Sequence, residues 1–424
     1  MIRSLLVLLG LVSVNLQGGE AITPNQYKVM LGRFLFHDKI LSGNKNISCA
    51  TCHHALLATG DALSLSVGEG GCGLGPSRSM TCGQKIHERV PRNSPPLFNL
   101  GDEEYTVMFA DGRVEGSNGS FRSPANGLLP DGLDSALAVQ ALFPVTSGTE
   151  MAGQPGENPQ ADFAVDNDFV GIWDHVIQKV IAYDEYQRLF FSAYGLRSRY
   201  DITIVHLANA IAAFEAEAFK ATESPYDRYV MGDYGAMTNN QITGKNLFYG
   251  KAQCYVCHSG KFQTNHRFYA LAMPQIGPGK GDGIDAMEDF GRERVTKSIN
   301  DRYRFRVPSL RNVALTGPWT HAGAYNTLKG VIDHHLQPRA CLENWSLQNA
   351  ILPWDESFND DFITHSNFTV RDNMTARVSW SRVALTAMEI DRLIDFLHAL
   401  TDPNSLNLRH QIPNRVPSGL PVFD

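Results

Sequence analysis

One phrase occurs twice in this chain, and its repetition limits the fold more than any other feature. Gly32-Arg33-Phe34-Leu35-Phe36 runs ahead of Cys49-Ala50-Thr51-Cys52-His53, and Gly244-Lys245-Asn246-Leu247-Phe248 runs ahead of Cys254-Tyr255-Val256-Cys257-His258. A G-x-x-L-F lead before C-x-x-C-H at two distant places implies two related modules. The interval is far too long for a solenoid, so the repeat is one of domains. The length of 424 residues agrees, being too great for one ordinary core.

In C-x-x-C-H the two thiols can form thioethers with the vinyl groups of a haem while the adjacent histidine ligates its iron. A zinc half-site or a redox pair is the alternative for one copy, and a single zinc site built from both pairs is the alternative for two. The zinc reading needs no repeated lead. Each haem would keep one axial position to be decided: a sixth protein ligand gives an electron-transfer iron, and an open position gives a reactive one. With fourteen histidines in the chain, composition does not choose between them.

The 37 Lys and Arg against 44 Asp and Glu leave a net charge of -7, which removes the electrostatic drive for nucleic-acid binding and favours a partner with a basic patch. Arg3, an apolar run from Leu5 to Val14 and small residues up to Ala21 read as an export leader, residues 1–21, too short to span a bilayer. Helical periodicity marks Phe169 to Ile181 and Val205 to Ala212, and Thr386 with Glu389 forms a capping box before Ile390, Leu393, Ile394 and Leu397. Few segments alternate as strands. Residues 66–100 and 270–326 are rich in Gly, Pro, Ser and Asn, so the expected fold is mostly α, with long ordered loops wrapped on large cofactors. Cys72 and Cys82 flank a ten-residue step suited to a local disulfide in an exported protein, and Cys341 is left as a buried free thiol. The glycine run from Gly68 to Gly75 lacks the G-K-[ST] of a phosphate cradle, which excludes nucleotide binding.

Further phrases follow in order: Leu31-Gly32-x-x-Leu35-Phe36 and Leu41-Ser42 before Ser48-Cys49; Arg92-Asn93-x-Pro95; Asp111-Gly112-Arg113; Gln140-x-x-x-Pro144 leading to Glu150-Met151; and Pro308-x-Leu310-Arg311-Asn312-Val313 with Thr316-x-Pro318-x-x-His321. From about residue 28 to about residue 400 the chain resembles the bacterial diheme cytochrome c peroxidase and MauG family. The resemblance implies two cytochrome c-like haem domains: residues 22–162, where peroxide reacts, and residues 163–424, which relay electrons. His53 and His258 become the proximal iron ligands. Gln140 and Glu150 fall in the pocket above the first haem, where a carboxylate suits moving a proton between the two peroxide oxygens.

The family places the sixth ligand of the second haem fourteen residues after the T-x-P-x-x-H histidine, and counting from His321 reaches His335, with His334 as the one-residue slip. Asn93, Thr316 and Pro318 match the positions that bind a calcium ion between the domains through oxygen atoms. Two departures stand out. Glu69 occupies the place of the histidine that blocks the first iron in typical peroxidases, so that haem is expected to be open, with His87 the nearest substitute blocker. Ala110 replaces the tryptophan between the haems, leaving Trp319 or Phe109 as aromatic steps. Residues 339–384 are additional to shorter family members. The implied activity is periplasmic reduction of hydrogen peroxide with electrons from a small cytochrome or copper protein. The alternatives are MauG-like oxidation of a partner protein's side chain by high-valent haem iron, and a non-catalytic diheme electron carrier.

Overall fold

The computed structural model describes residues 22–80, 86–353, 358, 361–378 and 383–423. The expected leader and Cys82 lie outside them. Fifteen α-helices, most of them short, occupy these residues: α1 Pro24–His37, α2 Cys49–Cys52, α3 Ala136–Gln140, α4 Pro159–Val165, α5 Phe169–Val180, α6 Asp184–Tyr194, α7 Ile204–Ala218, α8 Pro225–Val230, α9 Asn239–Phe248, α10 Glu293–Thr296, α11 Leu328–Leu336, α12 Pro338–Glu343, α13 Ile363–Ser366, α14 Phe368–Thr375 and α15 Ala387–Ala399. Strands are confined to an antiparallel trio, β1 Val107–Met108, β2 Val114–Ser117 and β3 Ser120–Arg122, and an antiparallel pair, β4 Phe268–Tyr269 and β5 Phe305–Arg306. The mostly helical, loop-rich expectation is met. None of the described helices is long and apolar enough to cross a membrane.

The repeated lead makes the same contact twice. α1 begins at a Thr23–Gln26 capping box with Pro24 in its first turn, and it crosses α7 at Gly32. A Cβ there would stand 1.9 Å from the Ala210 carbonyl oxygen and 2.8 Å from Phe214 Cβ. At α9 the corresponding Gly244 crosses α15, where a Cβ would stand 1.8 Å from the Arg392 carbonyl oxygen and 2.9 Å from Phe396 Cβ. The lead's phenylalanine then packs on the same partner: Phe36 on Phe214 at 5.3 Å and Phe248 on Phe396 at 5.2 Å. Glycine is required because the two backbones touch.

Around these crossings lie separate apolar cores. The larger gathers α1, α3, α5, α6 and α7 through Leu31, Val139, Ile172, Trp173, Phe190 and Ile211; the other gathers α9 and α15 through Phe248, Leu393 and Phe396. A boundary at residue 162/163 therefore cuts a shared core, because α5, α6 and α7 pack with the N-terminal helices as far as Ala221. Periodicity identified these helices but carried no information about which lead they cover. Leu408 and Ile412 also return to the first core, and Arg33 donates to the carbonyls of His410, Gln411 and Ile412 at 2.7–2.9 Å.

Buried arginines order the long loops. The Arg78 guanidinium, 2% exposed, donates to the carbonyls of Val67, Gly68, Gly71 and Gly73 at 2.6–3.0 Å, supplying donors that no sheet provides. The described residues of 339–384 tie distant loops together: Ile351 exchanges hydrogen bonds with Ser64, Asp361 accepts from Gly277 N and pairs with buried Arg89, and Thr364 donates to the Met287 carbonyl. Cys72 is disulfide-bonded. Cys341 is free, as expected, but only half-buried.

Gly244→Ala is expected to lose about 1–3 kcal/mol through overpacking at the α9–α15 crossing. Gly127→Ala, at a glycine with open space around it, is expected to be near neutral. Paired chemical-denaturation curves measure both.

Candidate functional site

The two C-x-x-C-H phrases fold alike. Cys49–Cys52 is a single helical turn braced by Ser48 and Thr51, and Cys254–Val256 is a 3-10 turn. In each, the histidine amide donates to the first cysteine's carbonyl: His53 to Cys49 at 3.0 Å, and His258 to Cys254 at 2.8 Å. Each imidazole then rests its Nδ1 on a carbonyl, Thr59 at 3.1 Å for His53 and Gln263 at 3.0 Å for His258, and Ser94 Oγ also stands 3.2 Å from His53 Nδ1. A carbonyl only accepts, so Nδ1 carries the proton and Nε2 carries the lone pair, the tautomer that binds a metal, with the Ser94 hydroxyl 3.5 Å from His53 Nε2. Burial lowers both rings to about 4, which keeps them neutral at pH 7. All four thiols are free, burial raises Cys49, Cys52 and Cys254 to about 12, and the two pairs sit against different cores. Among the described residues no cluster of three or more His, Cys, Asp or Glu side chains is arranged to hold a metal ion, so the single zinc site is excluded there.

Beyond these turns the two sites differ. Across from His258 stands His335, ring centroids 6.5 Å apart, its Nδ1 fixed to the Val331 carbonyl at 2.7 Å one turn earlier in α11. Two metal–imidazole bonds of about 2 Å, plus about 1 Å from each nitrogen to its ring centre, span about 6 Å. The pair therefore fits one iron held from opposite faces. His334 does not: it is fully buried, and both its nitrogens are engaged, by the Tyr325 hydroxyl and the Leu271 carbonyl. Among the described residues no second histidine ring faces His53 in this way. Glu69 is turned aside, accepting from Asn44 at 2.8 Å and Asn46 at 2.6 Å, and His87 is exposed.

A carboxyl, Glu150, interacts electrostatically with the cysteines of the first turn. Glu150 sits on a π-helical turn, Gly148–Ala152, whose carbonyls are clamped by Gly43 N on Met151 (2.8 Å), Glu69 N on Thr149 (3.1 Å) and Asn158 Nδ2 on Ala152 (3.0 Å). Gly68 packs so closely on this turn that a Cβ would lie 1.9 Å from the Thr149 oxygen. Glu150 is half-buried, and its negative charge adds to the rise of the Cys49 and Cys52 thiols. Burial raises its pKa, while Arg113 and Lys280 partly oppose the rise. Gln140 ends α3 half-buried, and its amide makes no hydrogen bond among the described residues.

Behind Glu150 lies a charge network joining distant segments. Arg92 bridges Asp111 at 2.8 Å and Asp289 at 2.7 Å, all three nearly buried, and Arg113 pairs with Asp111 while lying 3.5 Å over the Phe109 ring. Burial alone would raise Asp111 and Asp289, but the arginine outweighs it and holds both below the ordinary carboxylate range.

Residues 26–235 match the family described as di-haem cytochrome c peroxidase. The chain is 30% identical over 318 residues to the methylamine utilization protein MauG of Methylorubrum extorquens, covering 74% of this chain and 70% of that one. The chain belongs to the di-haem cytochrome c peroxidase and MauG family. It is also 31% identical over 320 residues to the cytochrome c peroxidase Ccp of Escherichia coli, spanning about half (54%) of that longer protein. Its fold is similar to that of a MauG-like protein associated with microbial copper homeostasis (TM-score 0.59, 24% identity, 90% of this chain and 91% of that one). The diheme peroxidase BthA of Burkholderia thailandensis is similar to the same degree (TM-score 0.59, 19% identity, 95% and 92%). Membership makes the chain an oxidoreductase of the peroxidase class, and the family implies two haem c groups.

For the other family positions, Asn93 and Thr316 line one small cavity with Asp61, Gly60 and Gly317, whereas Pro318, after a cis peptide, is outside its lining. Asn93 Nδ2 donates to the Leu63 carbonyl at 2.8 Å. Trp319 donates to the Val313 carbonyl in the second core, while Phe109 packs near Phe143 in the first, so no contact joins these two rings as a bridge. The Ala110 carbonyl accepts from Arg306 N at 2.8 Å.

Sequence reasoning missed Lys280, Asp61 and Glu215. Lys280 sits in a Gly-Pro-Gly-Lys-Gly run, pinned by Arg294 on its carbonyl, and only the fold brings it to Glu150. Asp61 is buried with Oδ2 unpartnered and pushed up to about 6 by burial. Glu215, inside α7 and 5% exposed, has Oε2 unpartnered, and burial pushes it up to about 8. A carboxyl raised in the folded state favours folding while protonated. That stability is complete below its ordinary value of 4.5 and declines as pH rises to about 8. From pH 5 to pH 8 the protein is expected to lose more stability than Glu215→Gln, by on the order of 1–4 kcal/mol, in denaturant titrations at the two pH values.

Proposed function

We infer that the protein is an exported, periplasmic diheme c-type peroxidase that reduces hydrogen peroxide to water at the N-terminal site with electrons delivered by a small redox protein. The observation that carries this reading is the asymmetry of the two sites: His335 stands opposite His258, whereas among the described residues no second histidine ring faces His53. Haem, when bound, supplies an iron that accepts peroxide where it is open and exchanges single electrons where it is closed.

His53 and His258 would hold the two irons through Nε2, and Cys49, Cys52, Cys254 and Cys257 would tether the haems. His335, its ring orientation set by the Val331 carbonyl, would offer a second nitrogen to the C-terminal haem. Glu150 takes a proton from one peroxide oxygen and returns it to the other. Its raised pKa suits both halves of that transfer, because the protonated form is reached without a large penalty. Arg113 and Lys280 keep the ionised form accessible. Gln140 assists as the neutral polar group of the same pocket. Two electrons and two protons convert each peroxide to two waters. The net charge of -7 supports a donor with a basic face, a c-type cytochrome or copper protein. A calcium ion at Asn93 and Thr316, and at Pro318 by family position, is supported by the buried Asp61 carboxyl in the same cavity, a hard oxygen donor with no other partner at Oδ2.

One observation favours the MauG-like reading, oxidation of a side chain on a partner protein. Glu69 is tied to Asn44 and Asn46, so the residue at the blocking position does not close the first site. Steady-state turnover with reduced cytochrome c separates the two: rapid turnover supports the peroxidase, and slow turnover with a long-lived oxidised spectrum supports partner oxidation. Two low-spin haems indifferent to peroxide would leave an electron carrier.

Glu150→Gln is expected to slow the stopped-flow reaction with peroxide by about 10²–10⁴-fold, and an unchanged rate refutes the proton-transfer role. In His335→Ala the second haem is expected to lose its low-spin signature and take up added cyanide, since both nitrogens of His334 are already engaged.

A further inference from the structure

The buried pair Tyr325 and His334 takes no part in the peroxide chemistry above, yet it is built with care. Tyr325 is 4% exposed and its hydroxyl lies 2.8 Å from His334 Nδ1, while His334 Nε2 lies 2.8 Å from the Leu271 carbonyl. Because a carbonyl only accepts, Nε2 holds the ring proton, Nδ1 offers its lone pair, and the tyrosine donates to it. Among the described residues this is the one tyrosine hydroxyl bonded to an imidazole nitrogen. His334 directly precedes His335 in α11, the helix that aims His335 at His258. On its other side Tyr325 forms part of the wall of an open surface pocket of about 290 Å³, with Asp333, Cys341 and Trp345.

A phenol gives up an electron readily only when its proton leaves with it, and here the acceptor for that proton is already in place. Trp345 in the same wall has no such help: its Nε1 donates to the Ala324 carbonyl, which cannot take the proton away. We propose that Tyr325 is a one-electron relay between the second haem and this surface pocket, with His334 holding its proton while it is oxidised. The inference rests on His258 and His335 being the ligands of that haem. Once peroxide has oxidised the bound second haem beyond its ferric state, Tyr325 would give it one electron, and the hydroxyl proton would move along the existing hydrogen bond to His334 Nδ1. A reductant at the pocket returns one electron to the phenoxyl oxygen, and the proton moves back. The oxidising equivalents come from hydrogen peroxide, which takes up two electrons and two protons to become two waters.

The test is freeze-quench electron paramagnetic resonance of the diheme protein after peroxide addition, with absorption spectra recorded on the same samples. The wild-type protein is expected to give a tyrosyl radical signal, narrowed when ring-deuterated tyrosine is incorporated. Tyr325→Phe is expected to keep the low-spin spectrum of the second haem and lower the radical at least tenfold. His334→Phe, which leaves the phenol without an acceptor, is expected to lower it as well. A spin trap added to the wild-type protein, with the adduct mapped by mass spectrometry, is expected to mark Tyr325 and needs no variant to fold. An undiminished tyrosyl signal in Tyr325→Phe, or haem bands that respond to peroxide with neither a tyrosyl radical nor an adduct at Tyr325, overturns the relay and leaves the peroxidase reading standing. Haem bands that do not respond to peroxide remove that reading, and the relay with it.

Discussion

A buried guanidinium holds the working parts of this molecule in register. Arg92 reaches Asp111 in the N-terminal loops and Asp289 in the segment after the second C-x-x-C-H, and solvent reaches almost none of the three. Such a charge is tolerable only while both partners stay in place, and losing one strands the others at a cost of about 3–5 kcal/mol. Around it the Arg113 and Lys280 charges converge on Glu150 from opposite ends of the sequence. The acidity of that one carboxyl is therefore a property of the whole fold. Loop movement that separated Asp111 from Asp289 would alter it without touching the pocket.

The second organising device is the restraint placed on imidazoles. His53, His258 and His335 each rest Nδ1 on a backbone carbonyl 2.7–3.1 Å away, which fixes tautomer and direction together. His334, which directly precedes His335, is held at both nitrogens, by the Tyr325 hydroxyl and the Leu271 carbonyl. What sets the three rings apart from His334 is one carbonyl and one hydroxyl, not burial, since burial lowers the pKa of all four rings.

Much of this was legible in the amino-acid order, for identifiable reasons. The glycine of each G-x-x-L-F lead is dictated by contact between backbones, and a requirement that strict leaves a visible mark twice. The family count from His321 pointed to His335 but left His334 open, and it is the fold that separates them, because a one-residue step turns a helical side chain by about 100° and only His335 faces His258. Capping at Thr386 and the apolar stripe of α5 were local facts and were read locally. The domain boundary was not legible, since α5 to α7 are amphipathic whichever module they cover. Lys280, Asp61 and Glu215 were equally hidden. A single ionisable residue in a glycine-rich run or inside a helix has no periodic signature, and its chemistry exists only once distant segments have closed around it.

The return of Leu408 and Ile412 to the first core bears on how such a protein is made. Both residues follow the second C-x-x-C-H in the chain, as does α15, whose packing on α9 completes the second core. Neither core can close fully until both thiol pairs have been synthesised. Closure of either core therefore waits on segments that follow all four cysteines in the chain, so the last stretch of the polypeptide seals both.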